Sequence, residues 1–214
     1  MRLKLKQFLR GTSVALGATA GEQHMLSVYR GVAQGTIPPG SCILLDFDGI
    51  TGVNGSYIKA TALWVLTCGQ LSVTNSGSLS SPVPRHEADP RPYDLFVCVT
   101  ELTPELEVEF QEFLKPRRLP LLYAQRVRND CVEEATLLGH LDATLALTLK
   151  AAGQHGTVTA PELHRAFPRD EVTVTAWNNR LNDLHALRLV RRIRAGRAWK
   201  YESVAKKIVW ESHS

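Results

Sequence analysis

The sequence predicts an α/β domain followed by a smaller α+β domain. In the first half, short apolar runs at 41–47, 94–100 and 119–124 alternate with helical spacing, which is typical of a small α/β sandwich. In the last third, helical patterns precede a basic stretch interrupted by Gly, which indicates a β-hairpin. The length of 214 residues allows two such domains. We expect four segments: an α/β domain over 1–125, a linking helix over 126–152, a second domain over 153–205 and a tail over 206–214.

The apolar run at 41–47 follows Pro38-Pro39-Gly40 and is flanked by helical patterns at 21–32 and 56–70. A run of this length bounded by turn residues is typical of a buried strand. Segment 70–92 is rich in Ser, Gly and Pro and predicts a long loop.

The run at 94–100 is the second predicted strand, and a helix with a clear start follows it. Thr103 is an N-cap residue, Pro104 takes the first helical position, and Pro116 ends the helix. The run at 119–124 is the third predicted strand.

The chain from Cys131 to Gly153 is helical in pattern throughout. Thr159-Ala160-Pro161-Glu162 is a second helix start, and a third lies at Thr173 or Thr175. Ala195-Gly196 then lies between alternating residues and predicts the turn of a hairpin.

Charge is distributed unevenly along the chain. Residues 1–150 hold 14 Lys and Arg against 15 Asp and Glu, whereas residues 151–214 hold 11 against 6. The net charge of +4 therefore comes from the last third. A local positive excess of this kind is typical of a nucleic-acid-binding module, although a solvated surface has the same composition.

The last third resembles the winged helix-turn-helix domains of bacterial transcription regulators of the MarR type, over roughly residues 134–205. The resemblance is carried by three segments: Thr157–Leu163 (TVTAPEL), Val174–Leu184 (VTAWNNRLNDL) and Leu187–Arg192 (LRLVRR). Arg188 departs from the pattern, since such proteins often have Gly there. A left-handed backbone at Arg188 would be mildly strained.

This resemblance implies that the third helix enters the major groove of double-stranded DNA and that the hairpin, or wing, contacts backbone phosphate or the minor groove. Helical spacing turns Trp177, Leu181, Leu184 and Leu187 inward and leaves Thr175, Asn178, Asn179 and Asn182 exposed. The DNA-binding candidates are then the polar residues of the helix and the basic residues of the wing: Thr175, Asn178, Asn179, Arg180, Asn182, Arg192, Arg194, Arg197 and Lys200. The alternative is that the winged helix docks another protein.

The first half resembles STAS-like domains, the fold of anti-sigma factor antagonists, over roughly residues 3–125. The resemblance is carried by Leu44–Tyr57 (LLDFDGITGVNGSY). The closer match is the STAS-like subgroup of bacterial proteins known as DUF4325, in which an Asp-Phe strand end is followed by a Ser-aromatic pair at the helix start, here Asp46-Phe47 and Ser56-Tyr57. On this match Ser56 is the candidate phosphoacceptor, but Asn54 replaces the Asp usual in that family. The ordinary interpretation of Ser56 is a helix N-cap.

Nothing in the sequence indicates a cofactor, a metal site or a catalytic motif. The four Cys residues are widely spaced, and Asp46 and Asp48 would face opposite sides of a strand. We expect a cytoplasmic, non-enzymatic, homodimeric bacterial regulator whose STAS-like domain docks a protein partner and controls a winged-helix DNA reader. The alternative is an adaptor subunit of a larger bacterial complex.

Overall fold

The computed structural model describes residues 1–9, 11–68, 95–168, 172–196 and 198–209. The protein is a mixed α/β chain, as the sequence predicts. It divides into two compact units, Met1–Phe113 and Leu114–Ser214. The predicted loop at 70–92 lies outside the described residues, as does Arg197.

Parallel strands form the centre of the first unit. Its strands are β1 (Arg2–Lys4), β2 (Val14–Ala15), β3 (Cys42–Asp46), β4 (Gly52–Val53) and β5 (Phe96–Thr100). Strands β1, β3 and β5 lie side by side in that order and run parallel, while β2 and β4 form a separate parallel pair. Every residue of β3 and β5 is buried, which confirms the interpretation of these apolar runs as buried strands.

Two helical stretches precede β5. They are α1 (Ala18–Ala33) and a continuous stretch of α2 (Gly55–Ile58), a π-helical segment (Lys59–Leu63) and α3 (Trp64–Cys68). Gly21 allows them to approach closely, because a Cβ there would lie 2.7 Å from the Cβ of Ala60. Both helices were predicted to within a few residues.

Helix α4 (Pro104–Leu114) begins where the sequence predicts. The backbone N–H of Leu106 donates to the Thr103 hydroxyl at 3.4 Å, and the helix gives way to a short 3-10 turn containing Pro116. Phe110 is fully buried and meets Phe47 edge to face, with 5.3 Å between ring centroids. This contact fixes α4 within the first unit.

The second unit begins with a long antiparallel hairpin. Strand β6 (Pro120–Arg128) pairs with β7 (Cys131–Gly139), and the turn residues Asn129 and Asp130 have φ of 50° and 58°. Two successive positive φ values are characteristic of the type I′ turn that suits a two-residue hairpin. The prediction of a linking helix over 126–152 is therefore wrong up to Gly139, and the predicted boundary at 125 falls inside β6.

The helical part of the second unit starts at α5 (Ala143–His155). Asp142 caps it by accepting from the backbone N–H of Thr144 at 2.8 Å. The elements that follow are β8 (Thr157–Val158), α6 (Ala160–Ala166), α7 (Val174–Ala186), β9 (Val190–Ala195) and β10 (Ala198–Ser203). Strands β8, β10 and β9 form a small antiparallel sheet in that order.

The helix starts and the hairpin turn of this region confirm the sequence predictions. Thr159 and Glu162 form a complete capping box at α6, and Thr173 caps α7. Gly196 takes the turn between β9 and β10 with φ of 62°. Arg188 has the left-handed backbone that its position suggested, with φ of 63°.

After β10 the chain returns to the β6–β7 hairpin. Strand β11 (Ala205–Val209) pairs in parallel with β7, with Ala205 opposite Val132 and Val209 opposite Thr136. The predicted tail at 206–214 is therefore wrong for residues 206–209. Residues 143–203 form an excursion between two paired strands.

Candidate nucleic-acid interface

Helix α7 is anchored by one apolar face, as its spacing predicts. Trp177, Leu181 and Leu184 are all buried, and the Trp177 ring lies 6.0 Å from that of Phe167. Leu187, predicted to point inward with them, is only half-buried at the end of the helix. The burial of this face determines which side chains α7 leaves in solvent.

Three of the polar residues predicted on α7 are exposed. Thr175, Asn178 and Asn179 lie on the first half of the helix and point into solvent. Arg180 is half-buried, with its guanidinium carbon 5.7 Å from the centroid of the Trp177 ring. Hydroxyl and carboxamide groups here are chemically suited to hydrogen bonding with base edges or phosphates.

Asn182 does not share this exposure, and the prediction that it is exposed is wrong. It is half-buried, and its side-chain oxygen accepts a hydrogen bond of 2.7 Å from the hydroxyl of Tyr201. Burial raises the pKa of Tyr201, while the charge of Arg192 opposes that rise. Asn182 thus connects α7 to β10, and its oxygen is already occupied.

Two of the predicted arginines on the hairpin lie together around an aromatic ring. Arg192 and Arg194 are exposed, and their guanidinium carbons lie 4.4 Å and 5.0 Å from the centroid of Trp199. Nε of Arg194 also donates to the carbonyl oxygen of Gly196 at 3.1 Å. We call Arg192, Arg194 and Trp199 the wing cluster.

Lys200 lies on the other face of the hairpin. It pairs in register with Ile193, whereas Trp199 pairs with Arg194, and neighbouring residues of a strand point to opposite faces. The positive charge of Lys200 acts on Glu162 of α6 rather than on the wing cluster. Hydrogen bonds from the backbone N–H and the hydroxyl of Thr159 lower the pKa of Glu162, and the charge of Lys200 lowers it further. The structure therefore separates Lys200 from the arginines with which it was grouped.

The helix start around Ser56 differs from the sequence interpretation. Asn54 is the N-cap of α2, because its side-chain oxygen accepts from the backbone N–H of Tyr57 at 3.0 Å and also from that of Gly17 at 3.1 Å. The N-cap interpretation of Ser56 is wrong, because the cap falls two residues earlier. Ser56 lies inside the first turn with an exposed side chain.

A buried polar pair beside Ser56 was not predicted. Nδ1 of His24 lies 2.8 Å from the Tyr57 hydroxyl oxygen, and the His24 ring stacks on Phe8 with 5.0 Å between centroids. Burial lowers the pKa of His24, and a hydrogen bond to the backbone of Phe8 opposes that change. Burial raises the pKa of Tyr57. No local pattern marks this pair, because its partners come from distant segments.

Asp46 of the first unit makes structural contacts. Asp46 is buried and pairs with Nε of Arg2 at 2.8 Å, while its other oxygen accepts from the backbone N–H of Asp48 at 3.0 Å.

Within the described ranges, no three His, Cys, Asp or Glu side chains converge as metal ligands would. The helices in those ranges also include none long and apolar enough to cross a membrane.

Comparison with protein-family models, with curated proteins and with solved structures found no match to this chain.

Proposed function

We propose that the second unit is a winged helix-turn-helix module that binds double-stranded DNA through α7 and the β9–β10 hairpin. The observation that carries the proposal is the pairing of an exposed polar helix face with a basic hairpin. Thr175, Asn178 and Asn179 occupy the helix, and the wing cluster supplies two exposed guanidinium groups. Polar side chains at a helix start can read base edges, whereas arginines on a hairpin neutralise phosphates.

The order of elements supports this assignment. Helix α5, strand β8, helices α6 and α7 and the β9–β10 hairpin follow one another, and β8 closes the small sheet against β10. The region is held at both ends, because β7 precedes it, β11 follows it, and these two strands pair. A DNA reader built in this way is anchored at both ends within its unit rather than carried on a single linker.

For the first unit we propose a STAS-like domain that docks a protein partner and controls the DNA reader. The parallel β1-β3-β5 arrangement and the exposed Ser56 in the first turn of α2 support it. A phosphate on Ser56 would lie near a helix N-terminus, which favours negative charge. On this proposal the protein is a non-enzymatic bacterial regulator in the cytoplasm.

A homodimer would match the two-fold symmetry of many operator sites. An apolar side chain that such a dimer would cover is Leu147 on α5, which is 66% exposed. Light scattering of the full chain tests this point, and Leu147→Glu should shift a dimer toward the monomer.

Docking of a protein by the second unit is the alternative function. A docked partner would cover exposed apolar side chains of this unit, such as Leu147 and Ile193, which are 66% and 42% exposed. A docking module would bind duplex weakly and would co-purify with its partner.

Fluorescence anisotropy with the full chain separates the two functions. The DNA probes are the duplex from upstream of the protein's own gene and a scrambled duplex of equal length and composition. A DNA-binding regulator should bind both in a salt-dependent way and should prefer the upstream duplex. Absence of salt-dependent binding to either duplex would overturn the DNA-binding proposal.

A further inference from the structure

Trp199 is a large aromatic side chain that the fold leaves partly exposed. It is 37% exposed on β10, directly opposite Arg194 in the β9–β10 register. Arg192 and Arg194 hold their guanidinium carbons within 5.0 Å of its ring centroid. The wing cluster is therefore a group of two planar cations packed against an indole at the surface.

The register places this cluster on a defined face of the hairpin. Arg194 pairs with Trp199 and Arg192 pairs with Tyr201, so these four side chains share one face. Tyr201 on that face donates to Asn182 of α7 at 2.7 Å. The wing cluster thus lies on the face of the hairpin that contacts α7, and Trp199 and Arg194 lie nearer to the hairpin turn than Tyr201 does.

The cluster also lies where the hairpin projects beyond its sheet. Strand β8 pairs with β10 only at Tyr201 and Glu202, so the register leaves Trp199 beyond the third strand. A bound DNA segment could reach the indole here without displacing a core element.

The chemistry of the cluster fits a nucleotide. Indole rings stack on bases, and guanidinium groups both stack and neutralise the adjoining phosphates. In a fully paired duplex each base is stacked between its neighbours and presents only its edges to a protein. A surface that offers exposed planar groups, here the guanidinium planes of Arg192 and Arg194 packed on a partly exposed indole, therefore suits a base that has left the stack.

We propose that the wing cluster binds an unpaired nucleotide next to the duplex that α7 contacts. The ligand class is then duplex DNA that carries a bulged or unpaired base, rather than uniformly paired DNA. This inference rests on the proposed DNA-binding function and specifies its substrate. The competing role for Trp199 is only to hold the two arginines in place for phosphate contacts.

Anisotropy with two fluorescein-labelled duplexes tests the proposal. The second duplex is identical to the first except for a central bulge of unpaired thymidines. The wild-type chain should bind the bulged duplex more tightly. Trp199→Ala should weaken binding to the bulged duplex roughly 5- to 150-fold, the range for losing a stacked base, and should change binding to the paired duplex little.

Two further variants keep the test decisive. Trp199→Phe retains a ring and should keep most of the preference for the bulge. Ile193→Ala removes an exposed apolar side chain from the opposite face of the same hairpin and should leave the preference unchanged. Thermal unfolding of each variant verifies that the fold is intact.

The outcomes separate this inference from the function on which it rests. Equal weakening of both duplexes by Trp199→Ala, or no preference of the wild type for the bulge, would overturn the unpaired-nucleotide site while leaving DNA binding in place. Failure of the wild type to bind either duplex would overturn DNA binding itself.

Discussion

The hydroxyl of Tyr201 on β10 donates a hydrogen bond of 2.7 Å to the side-chain oxygen of Asn182 on α7. Tyr201 is buried and Asn182 is half-buried, so this bond joins helix and hairpin from within. The relationship explains why Asn182 differs from the other asparagines of α7. Asn178 and Asn179 remain exposed for a ligand, whereas Asn182 sets the position of the hairpin.

Removing this bond should destabilise the second unit. Tyr201→Phe deletes the donor while keeping the ring, and we expect the free energy of unfolding to fall by about 0.5–1.5 kcal/mol. Urea denaturation of Tyr201→Phe, Asn182→Ala and the double variant forms a double-mutant cycle. A coupling energy near zero would show that the two side chains act independently.

The buried His24–Tyr57 pair predicts a pH dependence of stability. Burial lowers the pKa of His24 in the folded state, so the unfolded chain binds more protons than the folded chain as the pH falls. The contribution of His24 to folding stability is complete above its pKa of about 6.5 in the unfolded chain. It is lost as the pH falls through the lower pKa that His24 has in the folded chain. Urea denaturation between pH 8 and about 5 measures it.

His24→Gln should flatten this dependence, because the glutamine does not titrate. His164→Gln is the matched control, since His164 is exposed, and it should retain the wild-type curve. A His24→Gln variant with the full wild-type pH dependence would contradict the assignment to His24.

The exposed asparagines of α7 should determine sequence preference. A bidentate contact between an asparagine and adenine discriminates by about 1–3 kcal/mol. Asn178→Ala and Asn179→Ala, measured separately by anisotropy, should reduce the preference for the upstream duplex over the scrambled one. The salt dependence should be unchanged because neither residue is charged.

Asn182→Ala is the control for this measurement. Its oxygen already accepts from Tyr201, so the variant should lose stability while keeping sequence preference. A larger loss of preference in Asn182→Ala than in the other two variants would place base recognition elsewhere on α7.

Local signals made some elements predictable from the sequence. The starts of α6 and α7 follow from Thr159 and Thr173, because a capping hydroxyl acts within three residues of itself. The buried face of α7 follows from the helical spacing of Trp177, Leu181 and Leu184.

Pairing between strands explains what the helical interpretation of the sequence missed. Residues 131–139 contain Glu, Ala and Leu, which favour helices in isolation, yet they form β7 in a hairpin with β6. Strand β11 depends on β7, from which it is separated by the whole helical excursion. No short window of sequence contains both β7 and β11.

The candidate site shows the same division. The exposure of Asn178 and Asn179 follows from spacing along one helix. The hydrogen bond from Tyr201 to Asn182, and the contacts of Arg192 and Arg194 with the Trp199 ring, depend on contacts between separate elements. The sequence therefore predicted Asn178, Asn179 and the two arginines of the wing cluster, but not the part played by Trp199 or the internal bond of Asn182.

The salt dependence of duplex binding, compared between the wild type and Arg192→Ala/Arg194→Ala, tests the central claim most directly. Each phosphate contact contributes roughly 0.9 to the slope of log K against log salt concentration. The double variant should bind more weakly and should lose roughly that amount of slope for each contact removed. Lys4→Ala/Lys59→Ala removes two exposed positive charges from the first unit and should keep the wild-type slope. Equal slopes for the wild type and the wing double variant would contradict DNA binding by the hairpin.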